Sequence, residues 1–379
     1  MKDFTFYNPT KIIFGENKTE KVGNYLRGNK TLLMYGGGSI KKNGIYDKVI
    51  NSLKLNNINY VEKGGVKPNP ILSFVRETIN FAKSEKIDAI LAVGGGSVID
   101  SAKAIAAGYY YENDVWDFFV NKAKIEKALP IYVVLTLSAT ASEMNSGAVI
   151  TNEDTKQKFN INADSLFPTV SILDPVNTYT VPNNQVANGC VDAMIHLLEG
   201  YFTKNYENTP IQDGFVEVLL RTIMFETKEI LKNPIDYDAR ANFMWSATLA
   251  LNGLTTAGIG NYGFPNHMIG HSLSAIYDIA HAHSLSIVFP AWLKYNFDNK
   301  KERIVQLGKA VFNESDAEAT INKIISFFKS IGVPTNLPDA NIDKKDIPMI
   351  AENAVALAKK WQLNDYTVEV IAKILQLAV

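Results

Sequence analysis

Ile87-Asp88-Ala89-Ile90-Leu91-Ala92-Val93-Gly94-Gly95-Gly96-Ser97-Val98-Ile99-Asp100 is the stretch that decides the fold. Ile87–Val93 is a short, nearly continuous apolar run bounded by glycine, the pattern of a strand buried on both faces. Three glycines end it. Ser97 then stands where it can cap a helix running to about Ala107, with Asp100 at the third helical position as its acidic partner. Strand, glycine turn and helix in that order read as part of a parallel sheet covered by helices.

The same pattern recurs on both sides. Thr31–Tyr35 is an apolar run that stops at Gly36-Gly37-Gly38-Ser39, followed by a helical segment from Gly44 to Leu55. Asn59–Glu62 reads as a short strand, Ile71–Ser84 as a helix, and Pro130–Leu135 as a strand that runs into Thr136-Leu137-Ser138-Ala139-Thr140-Ala141-Ser142. Val170–Leu173 is a further strand with Pro175 behind it. Two hairpins are expected: Phe4–Tyr7 with Lys11–Gly15 around Asn8-Pro9-Thr10, and Ala148–Thr151 with Lys158–Ile161.

Ligands of parallel sheets bind beyond the carboxyl ends of the strands. Here three of those ends carry Gly, Ser or Thr. Glycine lets backbone N–H groups approach a phosphate, and a helix starting just afterwards presents its positive end. Gly94-Gly95-Gly96-Ser97 is therefore the candidate pyrophosphate site, although the Gly-x-Gly-x-x-Gly fingerprint is absent. The Gly36 loop bears on the choice of nucleotide. An NAD site often has an acid at such a strand end to hold the ribose 2′-hydroxyl. Gly38-Ser39-Ile40-Lys41-Lys42 has a hydroxyl and two cations instead, which suits the extra phosphate of NADP. Lys158 can reach a nucleotide or stand in solvent, and spacing does not decide between them.

Beyond Thr180-Val181-Pro182-Asn183-Asn184 strand patterns give way to helical ones. The expected division is residues 1–183 as an α/β dinucleotide-binding domain and 184–379 as an all-α metal-binding and substrate domain. All five histidines fall between Val191 and His283: His196, His267, His271, His281 and His283. Asp192 and His196 are four apart on one helix and leave the same face, and His267 and His271 repeat that spacing. A carboxylate with two or three imidazoles suits Zn²⁺ or Fe²⁺ better than Cu(I) or Mg²⁺. Spacing does not choose between His267 and His271 as ligand. Cys190, two positions before Asp192, lies on roughly the opposite side of that helix and is excluded as a ligand.

Composition narrows the function classes. Of 379 residues, 46% are hydrophobic and 20% charged, as in ordinary soluble globular proteins. A net charge of −1 gives no electrostatic case for nucleic acid or an anionic membrane. A single cysteine excludes disulfides within the chain and fits a reducing cytoplasm. The N-terminus lacks the apolar core of a signal peptide, and no apolar run approaches the roughly 20 residues of a membrane span.

Taken together, Tyr35-Gly36-Gly37-Gly38-Ser39-Ile40-Lys41-Lys42, Gly94-Gly95-Gly96-Ser97-Val98-Ile99-Asp100-Ser101-Ala102-Lys103, Asp192-Ala193-Met194-Ile195-His196 with Glu199, and His267 to His271 with His281 carry a resemblance. The chain resembles the group III, iron-containing alcohol dehydrogenases, which share a fold with dehydroquinate synthase and glycerol dehydrogenase. It is most similar to their NADPH-dependent butanol dehydrogenase and aldehyde reductase branch. The motifs occur in family order and span nearly the whole chain.

The resemblance implies Asp192, His196, His267 and His281 as ligands of one divalent metal, Fe²⁺ or Zn²⁺. It implies His271 as a proton carrier beside the nicotinamide. It also implies a nucleotide site at Gly36, Gly37, Gly38, Ser39, Gly94, Gly95, Gly96, Ser97, Asp100, Thr136, Thr140 and Lys158, with Lys41 beside it. His283 takes no role. Many relatives have Thr-Thr-x-Gly-Thr at the third loop, where this chain keeps only the two threonines, Thr136 and Thr140. A homodimer is implied, with the N-terminal hairpin as part of its contact.

The expected activity is reversible hydride transfer between NADP(H) and short- to medium-chain aldehydes and primary alcohols. Trp245, Tyr262 and Phe264 are candidate lining for an apolar pocket. A polyol (glycerol-type) dehydrogenase is the alternative within that activity. A dehydroquinate-synthase-like lyase would need cations near the metal, and Ala241–Ser274 and Ile276–Phe289 contain no Lys or Arg. A non-enzymatic nucleotide-binding or assembly protein would be favoured by lost ligands, and none is lost.

Overall fold

The computed structural model describes residues 1–206 and 208–379, which form two compact units. One holds Tyr7–Val181 with Lys232–Asn252; the other holds Met1–Phe6, Pro182–Leu231 and Gly253–Val379. Both are thus discontinuous in sequence, where a single cut at residue 183 was expected. Each is an independent answer to burying an apolar core.

The first unit contains β1 (Lys11–Phe14), β2 (Lys30–Tyr35), β3 (Asn59–Lys63), β4 (Ala89–Gly94), β5 (Ile131–Leu135), β6 (Gly147–Asn152), β7 (Gln157–Asn162) and β8 (Val170–Leu173). Its helices are α1 (Ser39–Lys42), α2 (Ile45–Leu55), α3 (Leu72–Ser84), α4 (Gly96–Gly108) and α5 (Trp116–Phe119). Six strands make one parallel sheet in the order β1-β8-β5-β4-β2-β3, and β6 pairs antiparallel with β7. Leu32, Leu33, Ile90, Leu91, Val133 and Val134 in its middle strands are fully buried, as their continuous apolar runs require.

The order also locates a binding crevice. From β2 the chain steps outward to β3, then returns to lay β4 on the other side of β2. The carboxyl ends of β2 and β4 therefore flank a topological switch point, where such sheets bind ligands.

Two local expectations are corrected. Residues 1–10 contain no strand, and β1 pairs parallel with β8, Lys11 opposite Val170. The N-terminal hairpin does not form because Met1–Phe6 belongs to the helical unit, where Lys2 N donates to the carbonyl of Gly258 (2.9 Å). Asn8 has a wider role than a hairpin turn gives it: its side-chain amide donates to the carbonyls of Met144 (2.8 Å) and Asn252 (3.1 Å) while its Oδ1 accepts from Thr10 N (3.3 Å). At the second glycine loop, α4 starts at Gly96 with Gly95 as its cap and no side-chain cap bond, so Ser97 is not the cap. Asp100 has stronger partners than a capping box provides, accepting from Ser142 Oγ (2.6 Å) and Val149 N (3.0 Å).

The second unit is helical: α6 (Asn183–Thr203), α7 (Pro210–Lys232), then, after α8 (Tyr237–Leu249), α9 (Pro265–Tyr277), α10 (His281–Tyr295), α11 (Phe297–Leu307), α12 (Ala317–Ser330), α13 (Ile347–Lys360) and α14 (Val368–Gln376). α8 itself returns to the sheet unit, where Thr248 Oγ1 donates to the buried Glu143 (2.6 Å). Sequence periodicity could not show this, since an amphipathic helix carries no label for the core it joins. Among the described residues no helix is long and apolar enough to cross a membrane.

Candidate metal centre and nucleotide loops

In the helical unit, α6 places Asp192, His196 and Glu199 on one face, since offsets of four and seven residues return to the same side of a helix. α9 supplies His267 and His271, and the first turn of α10 supplies His281. The ligand atoms of Asp192, His267 and His281 all lie within 4.8 Å of one another. Asp192 Oδ1 is the hub, 3.7 Å from His267 Nε2 and 3.8 Å from His281 Nε2.

His196 is not in that group of three. Its Nδ1 is 3.6 Å from the same Asp192 oxygen, and its ring stacks on that of His267 with centroids 4.4 Å apart. His271 stands beside the cluster, 5.3 Å between ring centroids from His281 and 6.2 Å from His267. Cys190 is fully buried against Met194, and burial pushes its thiol up to about 12, so it stays a protonated, inert packing group. His283 is half-buried, which lowers its pKa, and it is not one of the three grouped ligands among the described residues.

Glu199 was part of the quoted motif without a role, and the structure supplies one. Its carboxylate accepts the Nδ1–H of His267 and, through the other oxygen, the backbone N–H groups of Asn266 (2.5 Å) and His267 (3.1 Å). One fully buried side chain thus caps α9 and fixes the His267 ring with Nε2 towards Asp192. Burial opposes charge on His267, but the Glu199 and Asp192 carboxylates outweigh it and push it up to about 9. For His196 burial wins over Asp192 and pushes it down to about 4.

These groups fit a divalent cation. His196 Nδ1 and His267 Nε2 are buried and meet no hydrogen-bond partner among the described residues. Orphaned imidazole nitrogens around a buried carboxylate are costly unless something electropositive completes them.

Aromatic rings surround the histidines. Phe264 meets His267 edge to face at 5.7 Å, Tyr262 meets Phe264 at 5.6 Å, and Trp361 meets both His271 (5.7 Å) and Phe264 (6.3 Å). Trp361, just beyond α13 and far from the histidines in sequence, carries no signal that could have found it. Trp245 belongs to the sheet unit instead, packed against Phe14 at 6.2 Å.

In that sheet unit the Gly36, Gly94 and Thr136 loops all lie at carboxyl ends of strands, after β2, β4 and β5. Gly38 has φ +94°, a left-handed conformation that favours glycine, and side chains at Gly37 and Gly38 would project into open space. Gly96 is required by packing: a Cβ there would stand 2.5 Å from Thr140 Oγ1. Thr136 N donates to the carbonyl of Gly94 (3.0 Å), so the second and third loops are tied together. Ser39 is exposed on the first turn of α1, and Ser97 is half-buried on α4. Lys158 is buried with its Nζ on Asn69 Oδ1 (2.9 Å), so it is no mere surface lysine. An open glycine cradle at a switch point, with the N-terminus of α4 beside it, fits a nucleotide diphosphate.

Comparison with known proteins bears on what this combination is. The family model for iron-containing alcohol dehydrogenase matches residues 9–175, and that for the C-terminal part of the Fe-containing alcohol dehydrogenase family matches 186–379. The chain belongs to the iron-containing alcohol dehydrogenase family. Membership makes it an oxidoreductase of the alcohol–aldehyde couple, with a nicotinamide cofactor and a divalent metal.

It is 41% identical to a probable NADH-dependent butanol dehydrogenase 1 of Bacillus subtilis (strain 168), covering 99% of each chain. It is 38% identical to the NADPH-dependent aldehyde reductase YqhD of Escherichia coli (strain K12), covering 82% of each. The crystal structure of NADH-dependent butanol dehydrogenase A from Thermotoga maritima superposes with a TM-score of 0.95 at 46% identity, over 100% of this chain and 99% of that one. The fold is accordingly the dehydroquinate synthase-like one expected from the sequence.

Proposed function

We propose that this enzyme transfers a hydride reversibly between NADP(H) and short- to medium-chain aldehydes and primary alcohols, butanal and butanol among them. The observation that carries this is the Asp192–His267–His281 cluster, in which Asp192 and His267 are buried and His281 is half-buried. Asp192, His196, His267 and His281 would hold one Fe²⁺ or Zn²⁺. A divalent cation there would supply Lewis-acid polarisation of the substrate oxygen.

The chain's own residues do the rest. Glu199 orients His267. His271, beside the cluster but outside it, moves a proton to or from the substrate oxygen. Phe264 and Trp361 give the substrate's carbon chain apolar surface and exclude water. Gly36, Gly37 and Gly38, with Gly94, Gly95, Gly96, Ser97, Asp100, Thr136, Thr140 and Lys158, bind the nucleotide. Ser39, Lys41 and Lys42 favour the 2′-phosphate. A specific observation supports NADH as a second reading: Lys41 is already engaged by Glu62, at 3.7 Å. Both cofactor types occur among the names of the relatives. A cytoplasmic homodimer completes the proposal.

The test is NADPH and NADH oxidation by the metal-loaded protein with ethanal, butanal and hexanal, and the reverse reaction with butanol and glycerol. Turnover highest with butanal or hexanal supports the proposal. Preference for glycerol would replace it with a polyol dehydrogenase.

A further inference from the structure

Nothing in the sequence linked Glu62 to a nucleotide, yet the direct pairing of β3 with β2 brings it to the Gly36 loop. The parallel register sets Leu33 opposite Glu62 and Met34 opposite Lys63, at the carboxyl end of β2. There the Glu62 carboxylate accepts from Tyr46 Oη (2.5 Å) and Tyr35 Oη (3.1 Å). It also stands 3.7 Å from Lys41 Nζ, which sits over the rings of Tyr35 (4.9 Å) and Tyr46 (4.6 Å).

The cluster is held from behind. Gly65 N donates to the carbonyl of Gly36 (3.0 Å) and Val66 N to that of Tyr35 (3.3 Å), joining the turn after β3 to the loop after β2. A Cβ on Gly64 would stand 2.4 Å from the Tyr35 ring, so that ring is seated closely on the turn. Tyr35 and Glu62 together hold Lys41 above its usual pKa, so it is a cation throughout the neutral range. Lys41 follows Ser39 on α1, which makes it the cation of the Gly36 loop whose position the structure explains.

A ribose 2′-phosphate and a carboxylate repel, and both compete for the same cation, whereas a 2′-hydroxyl leaves the ion pair intact. We propose that Glu62 is the positioning residue that sets cofactor preference, by competing with the 2′-phosphate of NADP for Lys41. The proposal rests on reading the Gly36 loop as the ribose end of the nucleotide site. In the wild type the Glu62–Lys41 pair moderates discrimination: NAD leaves it undisturbed, and NADP must draw Lys41 away.

Calorimetric titration of the full-length protein with AMP and with adenosine 2′,5′-bisphosphate, which differ only in the 2′-phosphate, isolates that group without any catalytic turnover. Glu62→Gln keeps a side chain of the same shape and removes the competing charge. It should shift the ratio of the two dissociation constants towards the bisphosphate by about fivefold, the scale of a partly exposed ion pair. Lys41→Met should shift the ratio the other way, and the double variant should show none of the gain. A ratio unchanged by Glu62→Gln, or a gain that survives in the double variant, overturns the proposal. Wild-type protein that binds neither nucleotide would instead overturn the reading of the loop, and this proposal with it.

Discussion

Glu199 on α6 accepts the Nδ1–H of His267 on α9, so a residue that is not itself in the donor cluster determines which ring nitrogen faces Asp192. Such partners fix the tautomer and basicity of a metal-binding imidazole, and losing them typically weakens metal binding about 10–100-fold. Glu199→Leu should therefore lower metal affinity within that range, measured as metal retained against graded chelator. Glu199→Gln retains an acceptor oxygen and should fall between it and wild type. Equal retention in all three would show that the contact serves only as the cap of α9.

His271→Ala tests the division of labour among the histidines. His271 stands beside the cluster without belonging to it, so the variant should keep its metal and lose about 100-fold in kcat, the scale of a proton-transfer group. Elemental analysis alongside steady-state rates separates the two effects. Loss of metal would move His271 into the ligand set.

Gly37→Val addresses the nucleotide cradle. A side chain there would meet no protein atom within 4 Å, so thermal stability should not change. The space it fills is the space a diphosphate needs, and ADP affinity should fall at least about tenfold by steric exclusion. Unchanged ADP affinity would place the nucleotide elsewhere.

Lys103 is a fully buried ammonium whose Nζ donates to Ser142 Oγ (2.9 Å) and to the carbonyls of Asn145 (2.8 Å) and Gly147 (2.8 Å). Lys103→Met strands those acceptors and the nearby Asp100, at a cost of about 3 kcal/mol in urea unfolding. Burial also pushes Lys103 down to about 8 from 10.5, against Asp100 and Glu143. Between those values the unfolded chain holds the proton that the folded one has released. Its contribution to stability therefore rises with pH across that window. The variant should lack this rise relative to wild type; an identical pH slope would contradict the assignment.

Several of these residues were legible in the sequence, and the exceptions share a cause. The strand–glycine–helix stretch at Ile87–Asp100 and the spacing of Asp192, His196 and Glu199 are local patterns that report local geometry. The N-terminal hairpin failed because Phe4–Tyr7 alternates properly but Met1–Phe6 is taken up by the helical unit, with Lys2 N donating to the distant Gly258. Ser97 looked like a cap because its spacing to Asp100 was right, yet Ser142 and Val149, more than forty residues on, claim that carboxylate. Glu62, Trp361 and the return of α8 to the sheet unit depend on register and packing between distant segments, which periodicity does not encode.

A catalytic metal in the histidine cluster makes turnover depend on that metal. The protein is stripped with chelator, Fe²⁺ or Zn²⁺ is restored separately, and NADPH and NADH oxidation is followed with butanal. Stripped protein should be inactive and regain turnover with at least one of the two metals. Equal turnover by the stripped and restored proteins would contradict the account.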